Sequence, residues 1–173
     1  MNFQTVSDLN KYLAQPYALS SNHLRLKTLM NTQIYREDFH AWALQNAQLL
    51  REGRLAEIDI ENIAEELEDM GASKGRELES RLGILLAHLL KWVYQQERRG
   101  SSWQATIREQ RRRIVRLLKK NPSLKSEFDE AFLEAYGDAK LIAMRETGID
   151  EAIFPKASPF TMEQALNDAY WPE

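Results

Sequence analysis

Acid–base or metal chemistry needs a histidine and carboxylates that converge, and this sequence offers one set of residues of those types. His88 interrupts an apolar run, Leu82-Gly83-Ile84-Leu85-Leu86-Ala87-His88-Leu89-Leu90, and stands between Arg81 and Lys91 on that segment's one polar stripe. Glu65 and Glu66, on an acidic segment upstream, are the carboxylates that could face it across a helix pair as ligands or as a proton relay. Against that reading, no two of the three histidines are four residues apart, and adjacent glutamates without Glu-x-x-His are not the di-iron bundle signature. A ring set among leucines must find a hydrogen-bond partner whatever its role. His88 is therefore expected to be structural, held by Glu65 or Glu66, with no metal and no cofactor.

Nucleophilic chemistry has less to work with. The chain has no cysteine, no Gly-x-Ser-x-Gly elbow and no glycine-rich phosphate loop, so no catalytic residue can be named and the pattern points away from an enzyme. Charge is the stronger signal. Glu57 to Asp69 holds seven carboxylates and no Lys or Arg, whereas Arg98 to Lys120 holds nine cations against Glu109, a local balance of +8 in a chain whose net charge is -3. Two outcomes follow from such segregation. The segments pair and solvate their faces, at about 0–1 kcal/mol per exposed pair, or Arg98, Arg99, Arg108, Arg112, Arg116 and Lys119 form a face for phosphates. The modest net charge favours at least partial internal pairing. Trp103 falls on the apolar side of the basic segment and is a packing residue rather than a base-stacking platform.

The elements that must position these groups are helices. Residues 1–30 read as a weakly helical extension, and 31–173 as a single all-helical domain. Phe39, Trp42, Ala43, Leu49 and Leu50 recur at helical spacing up to a capping Gly53. Asp59 to Met70 reads as a short helix that Gly71 stops, with Ile60, Ile63, Ala64, Leu67 and Met70 on its packing face. The stretch from about 73 to 97 is apolar around nearly the whole wheel and is the expected buried centre. Ser101 and Gln104 stand at capping-box spacing ahead of an amphipathic basic helix, and Leu124 to Thr147 forms another, ending at Gly148. No segment alternates with period two. The fold class is all-α, a compact bundle of five or six helices around the segment at 73–97. The longest uncharged apolar run is about half of the roughly 20 residues that cross a bilayer. Zero cysteines and an N-terminus unlike a signal peptide fit a cytoplasmic protein without a membrane span.

Several stretches together carry a family resemblance. Tyr35-Arg36-Glu37-Asp38-Phe39-His40-Ala41-Trp42 and Ile63-Ala64-Glu65-Glu66-Leu67-Glu68-Asp69-Met70-Gly71 are followed in order by Leu78-Glu79-Ser80-Arg81-Leu82, His88-Leu89-Leu90-Lys91-Trp92, Glu97-Arg98-Arg99 and Ser102-Trp103 to Gln110-Arg111. From about Tyr35 to Phe160 the chain resembles a bacterial family catalogued as domain of unknown function 29. The resemblance implies an all-helical domain and no known activity; the motif includes His88.

Absent enzyme motifs, large apolar helices and dense charge favour a small interaction or regulatory protein that meets a protein partner through its surface. A nucleic-acid-associated protein using the basic segment 98–120 is the alternative, and an enzyme or metal protein centred on His88 comes third. An exposed basic face lacking carboxylate partners would favour the nucleic-acid reading. Trp171, beside Tyr170, either docks on the body or is offered to a partner.

Overall fold

The computed structural model describes residues 33–173, and the N-terminal extension lies outside the described residues. A helical stretch over 33–37 precedes α1 (Phe39–Arg51), α2 (Ile60–Tyr94), α3 (Ser101–Lys120), α4 (Phe128–Thr147) and the short α5 (Met162–Leu166). Single 3-10 turns at Leu55–Glu57, Gln96–Arg98, Pro122–Ser126 and Glu151–Ile153 join them, and no strand occurs among the described residues. The fold is all-α. By contacts the chain divides after Glu68 into a first unit, described over 33–68, and a second, Asp69–Glu173.

In the first unit α1 starts where Asp38 Oδ1 accepts from the Ala41 N–H at 2.9 Å, the bond an N-cap carboxylate is suited to make. Gly53 follows its end at a φ of 70°, a conformation that costs glycine little. Trp42, Asn46 and Leu49 are the buried residues of the helix. The link from α1 to the start of α2 is polar: buried Asp59 accepts from Trp42 Nε1 at 3.2 Å and from Asn62 Nδ2 at 2.7 Å, and its own N–H donates to Asn46 Oδ1 at 2.9 Å. Asp59 also accepts the Ile63 N–H through its carbonyl, as expected of a residue opening a helix.

Gly71 does not stop the acidic helix. The acidic segment and the central segment form one 35-residue helix, because a glycine ends a helix only by taking a left-handed φ, and Gly71 does not. Inside a helix it costs about 1 kcal/mol relative to alanine, which its helix-forming neighbours Met70 and Ala72 tolerate. The face expected to pack is also open: Ile60, Leu67 and Met70 are each more than 60% exposed.

The second unit holds the principal core. Leu78, Leu82, Leu85, Leu86, Leu89 and Leu90 of α2 are completely buried, each contributing about 1.5–3 kcal/mol. They share a cluster with Ile107, Ile114 and Leu117 of α3 and with Phe128, Ala135, Tyr136, Ala139 and Ala143 of α4. The alanines at 135, 139 and 143 form a small-residue seam, and α4 comes close to α2 there. A Cβ at Gly83 would stand 3.6 Å from the Ala135 carbonyl oxygen. Helix α3 is capped by Gly100 rather than Ser101, and Gln104 donates its backbone N–H to the Gly100 carbonyl, so the capping box expected there does not form. The first turn expected of α4 is the 3-10 segment begun by Pro122, and α4 then runs unbroken through Gly137 to Gly148, which takes a φ of 75°.

The segment after α4 is strapped to the core. Tyr136 donates its hydroxyl to the Pro155 carbonyl at 2.7 Å, and burial pushes its pKa up to about 12. Thr161 and Gln164 form the capping box of α5. Trp171 rests 4.8 Å from the Trp92 ring, which settles its role as a docked residue.

Candidate anion-binding face

Helix α3 buries Ile107, Gln110, Arg111, Ile114 and Leu117 and turns Arg108, Arg112, Arg116 and Lys119 to solvent. Arg108, Arg112, Arg116 and Lys120 follow one another at four-residue intervals, about 6 Å per step along the axis. The result is a cationic ridge about 18 Å long. The pairing expected of this helix is confined, among the described residues, to Arg113, which meets Glu109 at 2.6 Å on the same helix. Three of the seven carboxylates of the acidic segment are engaged within the first unit: Glu57 by Arg54, Glu66 by the Tyr35 hydroxyl at 2.7 Å, and Asp59 as above. Beside the ridge a cleft of about 420 Å³ is lined by Arg112, Val115, Arg116, Lys119, Leu166 and Asp168.

Two residues expected on the face stand elsewhere. Arg99 turns inward, donating Nε to the Trp92 carbonyl at 2.7 Å with its guanidinium 5.3 Å from that ring. Arg98 is exposed but belongs to the 3-10 turn before α3, off the ridge. Arg108 keeps its exposure while lying 5.8 Å from the Trp171 ring.

The proposed polar cluster separates into three sets. Glu66 pairs with Tyr35, and Glu65 is exposed in the acidic part of α2. Arg81 donates Nε and Nη2 to Glu77 Oε1 at 3.0 and 2.8 Å, which holds the Glu77 carboxyl below its usual range. His88 and Lys91 do come together. His88 Nδ1 lies 2.9 Å from the Ile84 carbonyl, and Lys91 Nζ lies 3.5 Å from Nε2. Since the carbonyl can only accept and the ammonium can only donate, the ring is the neutral Nδ1–H tautomer. Burial is the main force lowering the His88 pKa, with Lys91 adding to it and the Ile84 bond and Glu146 opposing it.

The carboxylate that reaches this cluster is Glu146 of α4, 2.6 Å from Lys91 Nζ, in place of the expected Glu65 or Glu66. Lys91 also lies 4.6 Å from the centre of the Trp103 ring, so its buried ammonium is satisfied by a carboxylate and a π face. No group of three or more His, Asp or Glu placed to hold a metal occurs among the described residues.

A family model described as "Domain of unknown function DUF29" matches residues 34–171. The chain belongs to that family. No curated protein and no solved structure matches it. The DUF29 match takes in the α3 ridge, the His88 cluster and Trp171, and leaves residues 1–33 outside. Within this DUF29 domain the least legible residue is Arg111, which the exposed Arg112 and Arg113 follow directly. It is 1% exposed and donates Nε to the Ala165 carbonyl and Nη2 to the Tyr170 carbonyl, both at 2.8 Å. Its guanidinium lies 5.5 Å from the Trp171 ring, which fastens the tail to α3. The one sequence signal was its position on the boundary between the apolar and basic sides. Glu146 gave none, being 55 residues from Lys91.

Proposed function

We propose that this protein works through a surface and that the surface is the exposed side of α3, which binds the phosphate backbone of nucleic acid. The observation that carries this reading is the ridge Arg108, Arg112, Arg116 and Lys120, exposed and, among the described residues, without a carboxylate within ion-pairing distance. Like charges at four-residue spacing destabilise a helix by a few tenths of a kcal/mol per pair. A ridge of them has no folding benefit, so its benefit is sought in a polyanionic partner. The half-buried Trp103 and Trp171 are engaged with Lys91, Trp92 and Arg111, so recognition rests on backbone charge rather than base stacking. A protein partner is the second reading, favoured by the exposed Ile60, Leu67 and Met70 of α2. In either case the proposed setting is a bacterial cytoplasm, which the cysteine-free composition fits.

Anisotropy of labelled single- and double-stranded oligonucleotides, titrated with salt, tests the first reading. Binding is expected to weaken linearly with log salt, and Arg112→Gln with Arg116→Gln should flatten the slope by about two charges. Affinity that is indifferent to salt, or unchanged by the double substitution, would remove α3 as the working face.

A further inference from the structure

A second cleft, of about 450 Å³, opens where the C-terminal end of α3 lies beside α2. Lys74, Glu77 and Arg81 line one side of it, and Arg113, Arg116 and Lys120 the other. Five cations face one carboxylate. That carboxylate is fully occupied in orienting two of the cations: Glu77 Oε1 takes Nε and Nη2 of Arg81, and Oε2 takes Lys74 Nζ at 3.3 Å. Arg81 spends a third N–H on Gln110 Oε1 at 3.5 Å and so retains two of its five. Arg113 is steadied by Glu109, while Arg116 and Lys120 have no carboxylate partner among the described residues. Buried Leu117 lines the same cleft. Concave cationic sites with low-dielectric walls concentrate field and attract anions.

The arrangement differs from the ridge it adjoins. A ridge meets the single charge of each internal phosphodiester, whereas a recess whose five cations exceed Glu77 and the Glu109 paired with Arg113 by three charges suits a phosphate monoester. Such a group carries about -1.5 to -2 and presents three acceptor oxygens to guanidinium and ammonium donors. We propose that the cleft holds a phosphate monoester, the terminal phosphate of a nucleic-acid strand whose backbone lies on the α3 ridge. This rests on the reading of α3 given above. Arg116 and Lys120 serve both sites, Lys74 and Arg81 serve the cleft alone, and Arg112 serves the ridge alone.

The test is anisotropy of a short single strand, labelled at its 3′ end and carrying either a 5′-phosphate or a 5′-hydroxyl, with a nucleoside 5′-monophosphate titrated separately by calorimetry. The phosphorylated strand should bind about tenfold more tightly. Lys74→Gln, at an exposed position, and Arg81→Gln should abolish that preference while leaving the 5′-hydroxyl strand unaffected; Arg112→Gln should weaken both strands equally. Circular dichroism melts check that each variant folds, and Lys74→Gln decides the matter should Arg81→Gln unfold. Equal affinity for the two strands would overturn the cleft while sparing the ridge. Binding of the mononucleotide, lost in Lys74→Gln, with no binding of either strand, would instead support the cleft as a site for a free phosphate ester and overturn the ridge. Absence of all binding would overturn both.

Discussion

Arg111 and Arg112 are adjacent in sequence and opposite in circumstance. Arg111 lies in the interior with two carbonyls and an indole around it, and its neighbour, turned through 100° of helix, faces solvent without a carboxylate partner among the described residues. Lys91 and Arg99 belong with Arg111: each buried or half-buried cation is engaged by a carboxylate, a carbonyl or a ring. Interior charges are tolerated when most of their donors are engaged, as in Arg111 and Arg99, where one buried Nη apiece lacks a partner among the described residues, and those at the surface need not be. The fold thus draws on three cations for its own cohesion and leaves the ridge uncommitted, and that is why the ridge is available to a ligand.

The apolar interior sets the scale against which these cations are judged. Leu89→Ala is expected to cost about 2–5 kcal/mol in a urea melt, as a fully buried leucine should. Arg111→Met should come next at about 2–3 kcal/mol, through two lost charge-assisted hydrogen bonds and a loosened tail. A cost near zero would place Arg111 with the surface residues and dissolve the contrast. Lys91→Met should cost about 1–2 kcal/mol, less because Glu146 is partly exposed and rehydrates.

A pH experiment sharpens the same contrast. The folded His88 pKa lies below its ordinary 6.5, so the unfolded chain binds the proton first as pH falls. The stability linked to this group is therefore complete above pH 6.5 and declines as pH drops from there through the lower folded value. His88→Gln should remove that decline from the melting profile. In Lys91→Met, nuclear magnetic resonance titration should find the His88 pKa raised, since the ammonium facing Nε2 has gone. At the small end, Arg112→Gln with Arg116→Gln should stay within about 0.5 kcal/mol of the parent while losing affinity for polyanions. A larger loss would mean that the ridge supports the fold after all.

The sequence was most readable where one local rule acted alone. Leu82 to Leu90 could only be interior, being apolar all round, and Gly53, Asp59 and Gly148 took the capping or helix-opening positions their chemistry suits. Gly71 misled because a glycine ends a helix only by taking a left-handed φ, and Gly71 does not take one. The partners of Lys91 and Arg111 were hidden for a different reason. They come from α3 and α4 for Lys91 and from α5 and the tail for Arg111, and no periodicity along one helix reports which distant ring, carbonyl or carboxylate will arrive. The α3 face was legible as an inventory of charges; that Arg108, Arg112, Arg116, Lys119 and Lys120 have no carboxylate partner among the described residues required the positions of the carboxylates around them.

The four tryptophans give the molecule an optical division of labour. Trp42 belongs to the first unit, and Trp92, Trp103 and Trp171 to the second, while one continuous helix runs through the boundary at Glu68. Replacing Trp42 with phenylalanine would make the remaining emission a reporter of the second unit alone, and a variant retaining only Trp42 would report the first. Coincident melting curves from the two proteins would mean that the long helix transmits cooperativity across the boundary. Separated curves would mean that its acidic half frays independently, as a foldon of lower stability.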